Sequence, residues 1–394
     1  MIFSDRVNLD LAPNALSRLL ALKRAQGQPV LDLTQSNPTR IGLPYPEEEI
    51  LSALAQPQSL RYEPDPRGLR AARAEVLKYY RHLAQDLDDD AIFLTASTSE
   101  AYGTLFKLLG NPGDEILIPS PGYPLLSYLA GFENLTTVSY PLRYDPGRGW
   151  YFDLDLLEAL ITPRTRAVTV VNPNNPTGSY IKTAELEILD DICCRHNLAL
   201  IVDEVFCDYS TDPAPDGVRS TVTRTRTLSF VLNGLSKMVG LPQVKLGWII
   251  VGGESGRVRE AALRLELLLD CYLSVGTPVQ HALGRLLALR KGIQNQLMAR
   301  ITTNRRILDE LLGPTKNCHT LRREGGWYAV IEICDQLPDE ERVLQLLDCD
   351  HTLVHPGAFY QFHREGFVVV SLLPPADVFH AGVEALVRRF GQWR

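Results

Sequence analysis

Six short apolar runs, "AIFLTA", "DEILIPS", "RAVTVVN", "LALIVDE", "LSFVLNG" and "LGWIIVGG", lie between about residues 90 and 252. Each is rich in β-branched or aromatic residues and stops at Asn, Asp, Ser, Pro or Gly. Runs apolar at successive positions suit strands buried on both faces. The spacers differ: "TAELEILDDICCRHN" places apolar residues at i, i+3, i+4 and i+7, the spacing of a helix with one buried face. Alternation of the two predicts an α/β core around a mostly parallel sheet. Such a sheet binds ligands beyond the carboxyl ends of its strands. The polar stretches "TASTSE", "NPNNPTG", "DEVF" and "GLSK" all follow strands and so fall at that edge.

At 394 residues the chain exceeds a usual single core, which favours two domains. After the core come a long helical region (about 256–312) and further short strands, "GGWYAVIEI", "HTLVHPGAF" and "GFVVVSLLP". The expected division is 1–45 as a segment packing on the small domain, 46–275 as the large domain and 276–394 as a smaller α+β domain. The formal net charge of -7, with interspersed signs, argues against nucleic acid or an anionic membrane as partner. "MIFSDRVNLDLAPN" carries charges where a secretory segment needs apolar residues, and no membrane-spanning run is present. Seven cysteines without a CxxC pair indicate neither a disulfide framework nor a zinc site. A cytoplasmic protein without a metal is expected.

Several groups at the sheet edge could do chemistry. Lys237 lies just behind a strand, where an ionised amine is costly and a neutral one can attack a carbonyl. Asp203 ends a fully apolar strand and needs a partner there, either as a helix N-cap or against a cationic ring nitrogen. Asn175, in a double Asn-Pro turn, stands over the same edge. Ser97, Thr98 and Ser99 open a helix, whose N-terminus favours phosphate, and Lys245 could add a positive charge.

In this order, "TASTSEA", "PGYP", "NPNNPTG", "DEVF", "GLSK" and "KLGW" resemble the class I/II aminotransferases of fold-type I, the aspartate aminotransferase superfamily, which use pyridoxal 5′-phosphate. "YEPDPRGL", "GGWY" and "HPGAF" extend the resemblance over nearly the whole chain. It implies a large domain around a mostly parallel seven-stranded sheet and a smaller α+β domain built from the C-terminus and the N-terminal segment. It implies a transaminase working by a ping-pong mechanism between an amino donor and a 2-oxo acid, with Lys237 forming the cofactor Schiff base. Asp203 would meet the pyridinium nitrogen, Asn175 the phenolic oxygen, and Tyr123 the ring face. Ser97, Thr98, Ser99 and Lys245 would take the phosphate, with Tyr62 reaching it from the partner subunit of a homodimer. Asn37 and Arg40 would touch substrate.

Three departures matter. The tyrosine usual after "DEV" is Phe206, which should raise the Schiff-base pKa by removing a donor to the phenolic oxygen. The usual phosphate arginine is Lys245, a point charge in place of a fork. The arginine that clamps the substrate α-carboxylate in the last strand corresponds to Val369 in "GFVVVSLLP". Arg40 is the candidate replacement, with His355 and Arg322 behind it. Elimination by a C–S lyase, decarboxylation and amine transamination use the same lysine, aspartate and asparagine and are the alternatives. A non-catalytic effector-binding domain fits poorly, since no helix-turn-helix pattern precedes the core.

Overall fold

The computed structural model of the chain describes residues 2–7, 11–85, 87–212 and 216–391. After β1 (Leu31–Asp32), the strands β2 (Ile92–Thr95), β3 (Glu115–Ser120), β4 (Thr136–Asp145), β5 (Gly149–Phe152), β6 (Thr165–Val171), β7 (Ala199–Asp203), β8 (Ser229–Gly234) and β9 (Gly247–Gly252) build the large sheet. Its order is β2-β9-β8-β7-β6-β3-β4-β5. Strands β8, β7, β6, β3 and β4 run parallel, while β9 is antiparallel to both β8 and β2.

The sheet therefore has eight strands where seven were expected. The extra one, β5, folds back on β4 as an antiparallel hairpin. The turn residues explain it: Asp145 Oδ1 accepts the Gly147 and Arg148 N–H groups at 2.8 and 2.9 Å, and Gly149 takes φ +84°.

Both faces of the sheet are buried. Phe93, Ile116, Ile201, Phe230 and Ile249 face the helices Thr98–Leu109, Leu125–Phe132 and Ser255–Asp270. Leu94, Leu117, Val202, Val231 and Ile250 join the larger core on the other side. Neighbouring positions on one strand thus point to opposite layers, the two-residue period of a pleated strand.

A second sheet, in the order β10-β11-β14-β13, is formed by β10 (Cys318–Thr320), β11 (Tyr328–Ile333), β13 (His355–Pro356) and β14 (Phe367–Ser371), all antiparallel. Between them β12 (Thr352–Leu353) pairs in parallel with β1, and the Ser371 N–H reaches Leu33 O at 2.7 Å, which fastens the N-terminal segment to this smaller unit. The helices Arg290–Leu312 and Ala376–Phe390 pack together here. The helix Thr277–Ala288 lies instead against Glu47–Leu54 and Arg70–Tyr80. Among the described residues no helix is long and apolar enough to cross a membrane.

Candidate active site

The topology gathers the polar loops at one edge. The parallel strands β8, β7, β6 and β3 end there, and so does β2. Because β9 runs the other way, it starts there, so Lys245 and Gly247 arrive where Ser97 and Lys237 depart. Gly247 pairs with both Thr95 and Gly234. A Cβ on Gly247 would stand 3.1 Å from Ser97 C and 3.2 Å from Thr98 N, so glycine lets β9 approach the start of the helix Thr98–Leu109. Ser97 caps that helix, its Oγ accepting the Glu100 N–H at 3.1 Å, while Glu100 reaches back to the Ala96 N–H. The N–H groups and hydroxyls of Thr98 and Ser99 find no acceptor among the described residues, which leaves an anion cradle at the helix start.

Lys237 lies in a single helical turn, Leu235–Met238, directly after β8. The Tyr209 hydroxyl donates to Lys237 O at 2.6 Å and the Tyr45 hydroxyl to Gly240 O at 2.7 Å, which fixes the loop. The amine stands 5.0 Å from the Trp327 ring centroid and 5.6 Å from that of Phe206. Desolvation in this aromatic wall holds its pKa below the usual lysine value, against the opposing pull of Asp203.

Asp203 ends β7, beside Val171 of β6, and is buried. Burial pushes its pKa up to about 6, although the Val205 N–H, the Tyr102 hydroxyl and Lys237 all favour the carboxylate. The Val205 N–H lies 3.1 Å from Oδ1 and the Tyr102 hydroxyl 3.2 Å from Oδ2. Asp203 and Lys237 sense each other's charge without forming an ion pair.

Asn175 follows β6 and is buried, and among the described residues neither its Oδ1 nor the buried Trp327 Nε1 has a partner. Tyr123 follows β3 and is 42 % exposed. Its loop is tied to the smaller unit, since the Gly122 N–H donates to Tyr360 O at 2.9 Å and Ser120 Oγ to Gln361 O at 2.6 Å. Lys245 is exposed, with φ +55° at the entry to β9. Tyr62 is 77 % exposed on the isolated chain.

The substrate side is less assembled. Asn37 caps the short helix Pro38–Arg40, its Oδ1 accepting the Thr39 N–H and hydroxyl at 3.0 and 2.8 Å. Arg40 is exposed and makes no ion pair among the described residues; its helix adjoins Gly240, three residues after Lys237. Val369 is fully buried in β14 between Val330 and His355. Burial drives the His355 pKa down to about 4, despite Asp32, and the ring stacks on Phe359 at 5.0 Å. A neutral imidazole is a poor carboxylate clamp, so His355 loses that role. Arg322 leans on Gly149 of the edge strand β5, five strands from β8, and also drops out.

Sequence reasoning missed Tyr102 and Tyr209. The spacing offers a retrospective clue: Tyr102 lies one helical turn beyond Ser99, on the face that covers the sheet.

The donor set fits pyridoxal 5′-phosphate. The cradle that a Cβ at 247 would crowd suits a phosphate, Asp203 suits a pyridinium nitrogen, and the desolvated Lys237 suits a carbonyl. Residues 28–385 match the family model for aminotransferase class I and II. The glutamate-pyruvate aminotransferase AlaA of Escherichia coli K12 is 27 % identical over 372 residues, 92 % of this chain and 91 % of that protein. An alanine aminotransferase of Mycobacterium tuberculosis H37Rv is 28 % identical over 373 residues, 92 % of this chain and 86 % of that one. A crystal structure of an aminotransferase from Escherichia coli superposes with TM-score 0.87 at 25 % identity, covering 99 % of this chain and 98 % of that one.

Proposed function

The chain belongs to the class I and II aminotransferases, which depend on pyridoxal 5′-phosphate, and from that premise we propose how its own residues divide the work. The observation that carries the reading is a desolvated Lys237 set near a buried Asp203, close enough to feel its charge but not joined to it in an ion pair. When bound, the cofactor supplies an electron sink for charge developing at the substrate Cα and a carrier for the amino group.

Lys237 is the covalent anchor and, once freed, the base that moves the proton at Cα. Burial suits it to this because an amine with a lowered pKa is more often neutral. Asp203, kept ionised by the Val205 N–H, the Tyr102 hydroxyl and a cationic partner, holds the proton on the ring nitrogen. Asn175 donates its amide to the ring oxygen, and Tyr123 covers a ring face. Ser97, Thr98, Ser99 and Lys245 hold the phosphate, and Trp327 and Phe206 exclude water from the amine.

Tyr62 reaches the phosphate of a second copy in a homodimer. Its exposure supports this, together with exposed Leu263, Leu267 and Tyr272 on the neighbouring stretch of chain. Sedimentation at micromolar concentration should give the dimer mass, and Tyr62→Phe should weaken cofactor retention. The chain acts in the cytoplasm.

The reaction moves an amino group between an amino acid and a 2-oxo acid. Uncharged walls at Phe206, Trp327 and Tyr328 favour a small or apolar side chain in one half-reaction, and the alanine and the pyruvate in the relatives' names fit that half. Arg40 takes the substrate carboxylate, since β14 offers none of the usual charge. The test mixes the holoenzyme with alanine, other amino acids and carboxylate-free amines, and follows the cofactor absorbance in a single half-reaction. Amino acids should discharge the band, and Arg40→Ala should raise the concentration needed about tenfold. Discharge by amines alone would overturn the amino acid reading, and an unchanged Arg40→Ala would remove Arg40.

A further inference from the structure

Behind the active site, between the helix Arg290–Leu312 and the strands β10 and β11, lies a cavity of about 260 Å³. Arg305, Arg322 and Arg323 line it, together with Asp309 and Thr320. Three guanidinium groups against one carboxylate make it positive.

Arg323 is 4 % exposed, yet its Nε and Nη1 have no acceptor among the described residues. Nη2 alone is engaged, donating to Gly326 O at 3.0 Å and, more weakly, to Gly325 O at 3.4 Å. No carboxylate approaches Arg323 within ion-pair distance among the described residues. Burial and the neighbouring Arg305 lower its pKa to about 10, which still leaves it charged at neutral pH. Thr320 Oγ1, of a residue lining the same cavity, is a third buried polar atom without a partner among the described residues. Native interiors pair nearly all such groups, and a buried cation without a counter-charge is costly.

The existing acid does not resolve the imbalance. Asp309 is shared with Arg305 at 3.7 Å, and Arg305 also reaches Asp212 at 3.8 Å. Arg322 is exposed at the rim, its N–H bonded to the Tyr144 hydroxyl at 3.1 Å, so the cavity is accessible from solvent.

We propose that this cavity is a second anion site, taking a compact dianion with a phosphate group or two carboxylates on Arg323, Thr320, Arg305 and Arg322. The site is separate from the cofactor cradle, which lies at the ends of β2 and β9. It is linked to it all the same: Gly325 N–H donates to Gly178 O at 2.8 Å, in the loop that carries Asn175, and Trp327 follows two residues later. An occupant would therefore brace the chain segment that backs the active site.

The test is calorimetric titration of the holoenzyme with inorganic phosphate and, separately, with succinate. The bound cofactor already fills the phosphate cradle, so new phosphate binding reports the second site. The expected result is saturable binding of at least one probe, weakened about fivefold or more in Arg322→Gln and in Arg305→Gln and abolished in Arg323→Met. The cofactor spectrum should be unchanged in the two Gln variants. Phosphate alone binding would identify a phosphate-bearing ligand, and succinate alone a dicarboxylate. If neither probe saturates, or if both bind equally well to Arg322→Gln and Arg305→Gln, the proposal is overturned. Should Arg323→Met fail to fold, the two Gln variants decide.

Discussion

Replacing Asp203 with Asn should separate stability from activity, and the effect can be worked from its surroundings. Burial raises the Asp203 pKa from 3.8 to about 6 in the cofactor-free chain. That is roughly two units, or about 3 kcal/mol of preference for the protonated form. The sign follows from linkage. A group whose folded-state pKa is raised binds protons more readily when folded, so its contribution to stability is complete below pH 3.8 and is lost as pH rises through about 6. Asn cannot ionise, and it keeps an acceptor for the Val205 N–H. The cofactor-free Asp203→Asn protein should therefore gain on wild type by about 2 kcal/mol between pH 4 and pH 8. Equilibrium urea unfolding at both pH values measures it. The same variant should lose about a hundredfold or more in transaminase turnover at every pH, because a neutral amide cannot stabilise a pyridinium proton. A stability difference that stays flat with pH, or a variant weaker than wild type at pH 8, would refute the electrostatic argument.

Three other outcomes can be checked. Phe206→Tyr restores a hydroxyl near the ring oxygen and should lower the pKa of the cofactor–Lys237 Schiff base by about one unit, read from absorbance against pH; an unchanged titration would count against it. Gly247→Ala presses a methyl on the backbone of Ser97 and Thr98, 3.1–3.2 Å away, and should weaken cofactor affinity about tenfold while the circular dichroism spectrum stays the same. Lys182 Nζ and Glu324 form a buried ion pair at 2.6 Å, with Glu324 also accepting the Tyr180 N–H at 2.8 Å. Lys182→Met should cost about 3–5 kcal/mol in urea unfolding, and adding Glu324→Leu should recover much of the loss.

The polar loops at the strand ends were legible before any coordinates because a strand buried on both faces must be apolar throughout. Its last residue can then be polar only where the chain emerges. Asp203 after "ALIV" and Lys237 after "FVLNGLS" stand out on that ground alone. The motif order added the cofactor and the family, both of which the comparisons support. β5 was missed because "GWYF" is too short to read as a strand without its partner; the Asp145 turn and β4 make it one.

What the sequence determined by itself was local: periodicity, turn chemistry and the identity of the reactive groups. Tertiary structure decided which charges meet. Tyr102 reaches Asp203 because its helix lies over β8 and β9, beside the end of β7, His355 stays neutral well into the acidic range because it is buried against Phe359 and Tyr360, and the Arg323 segment is packed against Gly178 of a loop far away in sequence. The physical reason is range. Backbone preference acts over a few residues, whereas desolvation and Coulomb energies depend on every neighbour within several ångströms, whatever its place in the chain.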